Sequence, residues 1–412
     1  MECPVPEFPR LRPLDFQPVV HLGQQMWYLR DPLQLTPYQI IVPPGLAPML
    51  LYCDGRHTPA EIHAALCQHI GEELPFDLVA QGLAELDKAC LLENENAWRA
   101  QQARLAEYHA QPARPPALAD LSYPADPAAL TAQFLVYGQG DRLDGWEMWR
   151  GRGIISPHID YQRGGPVYAK VWRRAATAVA EADLILIFGT DHQGGAGTIT
   201  LTRQAYATPY GILPAAPDLV QKLAAAIGPE AAFAEELHHR QEHSVELSAV
   251  WLHHVYAQLG LPPKPMLPIL CGSFHHFVQN GAHPGDDGRI TAVIETLRRE
   301  TEGLKVLAIA SVDFAHVGPN FGDSFVMDAA RRAALKNADE RLMEAVLRGD
   351  AADFYRQIAS VGDRNRICGF SPIYLLLRYL NGVQGGHRVA YDHCPADAEN
   401  HSLVSIGGLL LD

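Results

Sequence analysis

Gly153-Ile154-Ile155-Ser156-Pro157-His158-Ile159-Asp160-Tyr161, followed by Gly164-Gly165, is the stretch that decides how the chain reads. An apolar run ends abruptly at Pro157-His158, and the glycine pair gives way to a helix-like segment from Pro166 to Ala182. The pattern predicts a buried strand that presents one histidine at its C-terminal end. In open α/β sheets, ligands sit at that edge. A lone histidine is more often structural than metal-ligating, so the reading depends on whether the pattern recurs.

It recurs twice. Leu184-Ile185-Leu186-Ile187-Phe188 runs into Gly189-Thr190-Asp191-His192, and a third apolar run, Lys305 to Ser311, leads to Asp313-Phe314-Ala315-His316. Strand ends hold side chains rigidly, and three of them can converge on one point. Apolar runs separated by helical segments, including 217–227, about 242–260, 288–301 and 371–381, predict an α/β domain. Its sheet is mostly parallel with helices on both faces.

Around these strand ends stand further candidates. Asp313 lies three residues before His316, placed either to fix that imidazole's tautomer, to face a metal with it, or to cap a helix. His243 and Glu246 share a helix face at i, i+3, suited to supporting a metal site, to substrate binding or to a surface ion pair. The histidine doublets 238/239, 253/254 and 275/276 make poor chelates and read mostly as surface residues. Cys368 precedes a helix expected near Ser371-Pro372, and a helix N-terminus lowers a thiol's pKa.

Composition limits the partners. The chain has 412 residues, 48% hydrophobic and 19% charged, which describes a folded protein of two domains. Its 33 Lys+Arg against 47 Asp+Glu give a net charge of −14, which disfavours nucleic acid as the main ligand. Seven scattered cysteines without a CxxC suit a reducing compartment. With no signal-like N-terminus and no run of membrane-spanning length, the expectation is a cytoplasmic protein without a membrane partner.

Residues 1–95 form a smaller unit, and the helical, Pro/Ala-rich stretch 96–150 reads as a linker to the main domain at 151–412. Within the first unit, Thr58-Pro59-Ala60-Glu61 is a capping box that opens a helix, and another helix follows from Phe76 to Cys90. Three short helices with strand-like flanks suggest a small winged-helix-like α+β fold. The segments LLYCDGRHTPAEIHAAL and VAQGLAELDKACLLE resemble PqqD-like peptide-recognition domains. DNA binding, the other common use of a winged helix, is disfavoured by 5 Lys/Arg against 13 Asp/Glu in residues 1–95. A structural or dimerising appendage is the plain alternative.

The main domain carries a more specific likeness. SPHIDYQRGGPVYA, ILIFGTDH, TPYGIL, EHSVEL, ASVDFAH, RICGFSPI and HSLVSIGG occur in the order and approximate spacing of the Memo family. That family includes the proteins called AmmeMemoRadiSam system protein B. The resemblance spans about 150 to 411 and implies a fold like that of class III extradiol dioxygenases. It puts His158, His192 and Cys368 in metal-ligand positions, with Asp313 and His316 beside them. In the dioxygenases the position of Cys368 is a glutamate, and that of His316 is the acid/base histidine. Thiolate in place of carboxylate shifts metal preference, so the likeness alone does not certify ring cleavage. Asp160 is a second departure from the animal proteins, adding a carboxylate near His158.

The leading expectation is therefore a non-haem Fe(II) oxidoreductase, with Cu or Zn as alternative metals. Its metal would sit on His158, His192 and Cys368, and His316, oriented by Asp313, would move a proton. Asp160, Asp191, His243 and Glu246 would support the site or bind substrate, which is a small molecule or is carried on a peptide read by the first domain. The alternatives are a non-catalytic metal-binding or adaptor protein and a metal-free hydrolase with a Cys368–His316–Asp313 triad.

Overall fold

In a computed structural model the chain forms two compact units, 1–111 and 112–412, and the structure describes residues 5–146 and 148–412. Cys3 lies outside the described residues. In the first unit, strands β1 (Asp15–His21), β2 (Gln24–Arg30) and β3 (Ile40–Val42) form a small antiparallel sheet. Helices α1 (Pro59–Ile70), α2 (Phe76–Lys88) and α3 (Glu95–Ala110) follow. The capping box at α1 forms as expected: the Thr58 hydroxyl accepts from the Glu61 N–H, and Glu61 reaches back to the Thr58 N–H. The β1–β2 hairpin was not anticipated. Its two-residue turn places Leu22 at φ 50° before Gly23 at φ 79°, and leucine hides the Asn-Gly type of signal that normally marks such a turn.

The second unit opens with α4 (Pro127–Tyr137), β4 (Gly153–Ser156), α5 (Tyr161–Arg174), α6 (Ala176–Glu181), β5 (Leu184–Thr190) and β6 (Ile199–Leu201). Next come the hairpin β7 (Tyr206–Thr208) and β8 (Gly211–Leu213), then α7 (Pro217–Ile227), α8 (Pro229–Phe233) and α9 (His243–Leu259). The chain continues through β9 (Met266–Cys271), α10 (His275–Asn280), α11 (Gly288–Glu300), β10 (Val306–Ser311) and β11 (His316–Val317). It ends with α12 (Ala329–Leu347), α13 (Ala351–Ser360), α14 (Phe370–Leu380), β12 (Gly386–Pro395) and β13 (Leu403–Leu411).

Eight strands make one sheet in the order β11-β13-β4-β10-β5-β9-β6, with β12 paired to β13. Its central four strands, β4-β10-β5-β9, run parallel, and the strands beyond them are antiparallel. Side chains of β5 alternate between two cores: Leu184, Leu186 and Phe188 pack with α11 and α14, while Ile185 and Ile187 pack with α5 and α9. Both faces are thus covered, as the unbroken apolar runs require. Each fully buried side chain of this kind contributes about 1.5–3 kcal/mol.

Two boundaries differ from expectation. The stretch 96–150 divides between the units: α3 closes the first, and from Arg114 onward the chain is built into the second. Helix α5 starts at Tyr161 rather than Pro166, because Asp160 caps it by accepting from the Arg163 N–H at 3.1 Å. The glycine pair lies inside this helix, where a Cβ on Gly165 would meet the Tyr137 ring at 2.5 Å. Those glycines serve packing, not a loop. Among the described residues, no helix is long and apolar enough to cross a membrane.

Candidate metal centre

Because β10 lies between β4 and β5 and runs parallel to both, the three histidine-bearing strand ends open on one edge. His158, just past β4, is 1% exposed. Its Nδ1–H donates to the Ser311 carbonyl on neighbouring β10 at 3.0 Å, which makes Nε2 the ring's acceptor. His192, just past β5, is held through Nδ1 at 3.1 Å from the Glu242 carboxylate, which also accepts from the His192 backbone N–H at 3.0 Å. Glu242 is the N-cap of α9, and it takes Nδ1 of His243 at 3.0 Å as well.

The helix end reaches the sheet because β5 carries Gly189 there. A Cβ at that position would lie 2.6 Å from Ser244 Oγ and 2.7 Å from Val245. Ser244 Oγ in turn donates to the Thr190 carbonyl at 2.7 Å.

His158, His192 and His243 each offer a ligand atom within 4.8 Å of the others, a spacing compatible with one metal ion. The rings of His192 and His243 stack at 4.7 Å. Cys368, on the loop before α14, places Sγ 3.3 Å from His158 Nε2. Three imidazoles with Nδ1 tied to protein acceptors, plus one sulfur, form a donor set that fits a borderline or soft transition metal.

The electrostatics follow from burial and from Glu242. Burial keeps His158 neutral, far below the usual imidazole value. Burial acts to lower His192 too, but the Glu242 carboxylate and Cys368 outweigh it and hold it well above. Glu242 stays ionised despite burial because His192 and His243 face it. For Cys368 the expected lowering by a helix N-terminus is not found: burial pushes the thiol up, against the hydrogen bond with His192.

A sequence profile for Memo-like proteins matches residues 114–410 of this chain. The chain belongs to the Memo-like family. A MEMO1 family protein of Aquifex aeolicus is 25% identical over 98% of this chain and 99% of its own length, so that match takes in the first unit as well. Relatives described in the same words from Methanococcoides burtonii (26% identity, 64% of this chain, 86% of theirs) and Methanopyrus kandleri (30%, 50% and 70%) match over less of it. A solved structure of an uncharacterized Escherichia coli K12 protein aligns over 63% of this chain and all of that one, at 13% identity and a TM-score of 0.36, too distant to carry an argument.

In this Memo-like chain the remaining candidates are placed as follows. Asp313 does not orient His316. Its Oδ1 accepts from the His158 N–H at 3.0 Å and the Ile159 N–H at 3.3 Å, and its Oδ2 is 3.8 Å from His158 Nε2. It therefore shapes the His158 loop, and burial raises its carboxyl to about 6. No helix begins at Asp313. His316 instead donates Nδ1–H to the Arg366 carbonyl at 3.2 Å, and burial lowers it to about 4. With Cys368 bonded to His158 and Asp313 serving the His158 loop, the described contacts assemble no Cys368–His316–Asp313 triad.

Asp160 turns away into its cap and an ion pair with Arg163 at 2.6 Å. Asp191 pairs with His238 at 2.9 Å, and with Glu235 these two form a second group of metal-ligand spacing. Glu246 faces away from the cluster and binds Arg114, the Tyr123 hydroxyl and the backbone N–H groups of Ala117 and Leu118. It anchors the segment entering the second unit.

His243 belongs to the cluster itself, and Glu242 is the residue that sequence reasoning missed. Its signal was a carboxylate immediately before a histidine at a helix start. The doublets also differ from expectation: His253 and His254 are buried because α9 is covered on nearly every side, and His239, in the turn before it, is buried between the Tyr206 hydroxyl and the Thr200 carbonyl. A cavity of about 750 Å³ adjoins the cluster and is lined by His192, Cys368, His316, His275, Phe274 and Arg364, among others.

Proposed function

We propose that this protein binds a transition metal ion at His158, His192 and Cys368, with His243 beside them, and uses it for dioxygenase-like oxidation of a substrate in the adjoining cavity. The observation that carries the reading is one donor set, three imidazoles and a thiol, at the wall of a cavity that also holds His316. Fe(II) is the preferred ion, with Cu or Zn as alternatives; when bound, a redox-active ion supplies electron transfer with O₂ and polarises a substrate oxygen.

The protein's own groups do the rest. Ser311 and Glu242 fix the ring orientations of His158, His192 and His243. His316, neutral at physiological pH with Nδ1 committed to Arg366, has Nε2 available to accept a proton from substrate. The substrate remains a small molecule or a peptide-borne group, with the first unit as its candidate reader.

The test is anaerobic Fe(II) titration of chelator-stripped protein, followed by O₂ uptake over a substrate panel with His316→Ala as control. About one ion per chain is expected, lost in His158→Ala, with thiolate absorption that disappears in Cys368→Ser. Stripped protein that takes up no ion would sink the proposal. Metal uptake without turnover, unchanged by His316→Ala, would favour a binding role.

A further inference from the structure

The cavity walls carry a charge that the metal cluster does not use. Three carboxylates line it, Asp191, Asp323 and Asp363, together with Arg364 and Arg366. Every carboxylate is engaged. Asp191 pairs with His238 at 2.9 Å, and Asp323 takes the Arg366 guanidinium at 2.8 and 3.1 Å. Asp363 binds His275 Nδ1 at 3.1 Å and accepts from the Ile367 N–H at 3.0 Å. Arg364 is different. Among the described residues its guanidinium has no carboxylate, carbonyl or ring partner; its bonds are through the backbone, the N–H to the Val361 carbonyl and its own carbonyl from the Arg366 guanidinium.

The loop that carries Arg364 is held in an unusual conformation. Gly362, Asp363 and Arg366 have φ of 62°, 49° and 51°, a region that non-glycine residues occupy only when their surroundings hold them there. Those surroundings are visible on both sides of Arg364. Asp363 is clamped by His275 and Ile367, and the carbonyls of Asn365 and Arg366 accept from the backbone and ring of His316. Arg364 is exposed at the rim of this cavity and also borders two smaller ones on the same loop. In a chain of net charge −14, which repels anions at long range, one unneutralised guanidinium there is a local selecting charge.

We infer that Arg364 recognises an anionic group on the substrate, a carboxylate or a phosphate. A guanidinium takes either oxyanion through two parallel N–H···O bonds, a geometry that lysine lacks. This deepens the proposed function and rests on its assignment of the cavity as the substrate site. Arg364 does not touch the metal ligands, so the two ideas separate experimentally.

Isothermal titration of the full-length protein tests it. Benzoate and phenyl phosphate are the anionic probes and benzyl alcohol the neutral one, each used on chelator-stripped and on Zn(II)-loaded protein. Stripped protein is expected to bind at least one anion and not the alcohol; the tighter anion identifies the group. Arg364→Met should weaken that binding about ten-fold or more with metal content unchanged, and Arg364→Lys should retain part of it. Absence of anion binding overturns the inference, as does binding that Arg364→Met leaves intact. Binding that requires the ion and ignores Arg364 overturns it too, since the anion is then a metal ligand. Failure of metal uptake alone, with Arg364-dependent anion binding preserved, strikes the metal proposal and supports this one.

Discussion

The Glu242 carboxylate lies 3.1 Å from Nδ1 of His192 and simultaneously accepts that residue's backbone N–H at 3.0 Å. One side chain thus fixes both the position and the tautomer of the imidazole, and it also takes Nδ1 of the His243 ring at 3.0 Å. Glu242→Gln keeps the shape but loses the charge and one acceptor. It is expected to weaken metal affinity by about 10–100-fold, the range typical of groups that orient a ligand. Competition with a chromogenic chelator measures this, and an unchanged affinity would show that Glu242 is dispensable.

Asp313 shapes the loop of His158 through two backbone N–H groups. Asp313→Ala leaves both donors buried without an acceptor and should cost about 1–3 kcal/mol. Asp313→Asn retains an acceptor and should cost less. Calorimetry together with metal content separates the two variants; equal losses in both would mean that charge, not the loop contact, is what Asp313 supplies.

Arg114 and Glu246 form an ion pair that is 0% and 1% exposed. Removing the cation strands Glu246 in the core, so Arg114→Met should lose about 3–5 kcal/mol in denaturant unfolding. Arg114 Nη2 also donates to the Glu242 carbonyl at 3.0 Å, so the folded variant should bind metal more weakly as well, which chelator competition measures.

Asp339 is fully buried, with Oδ2 accepting from the Tyr391 hydroxyl at 2.7 Å. Burial raises its carboxyl to about 6 from 3.8. Between these values the folded state binds more protons than the unfolded one, so this group's contribution falls as pH rises from 3.8 through 6 and is flat above. Asp339→Asn escapes the loss. It should be more stable than wild type by on the order of 2 kcal/mol at pH 8 and no different near pH 4. Stability curves at the two pH values decide it; a variant weaker at pH 8 would contradict the argument.

The parts of this protein that were legible in its sequence share one property, a local pattern with a single physical meaning. Three apolar runs ending in His158, His192 and the Asp313–His316 loop could only be buried strands, and their parallel neighbours bring those ends together. The helix expected over 217–227 forms over Pro217–Ile227, with proline in its first turn and Gly228 at its end. Where a residue had two partners in reach, the pattern misled. The i, i+3 spacing pairs His243 with Glu246, yet the helix starts so close to β5 that its cap, Glu242, holds the ring while Glu246 turns toward Arg114. Sequence proximity places Asp313 with His316, but β4 lies beside β10 and its loop claims the carboxylate first. Such choices depend on tertiary neighbours that no spacing rule contains.

The Sγ of Cys368 meets Nε2 of His158 across 210 residues of chain. During synthesis the thiol emerges only after most of the polypeptide has left the ribosome, so the full donor set exists only late in folding. If the proposed ion binds there, its loading is a late event, conditional on β4, β5, α9 and the loop before α14 all being in place. Capture of the ion would then act as a checkpoint for a completed second unit, and truncation anywhere before Cys368 should yield a chain that cannot retain it.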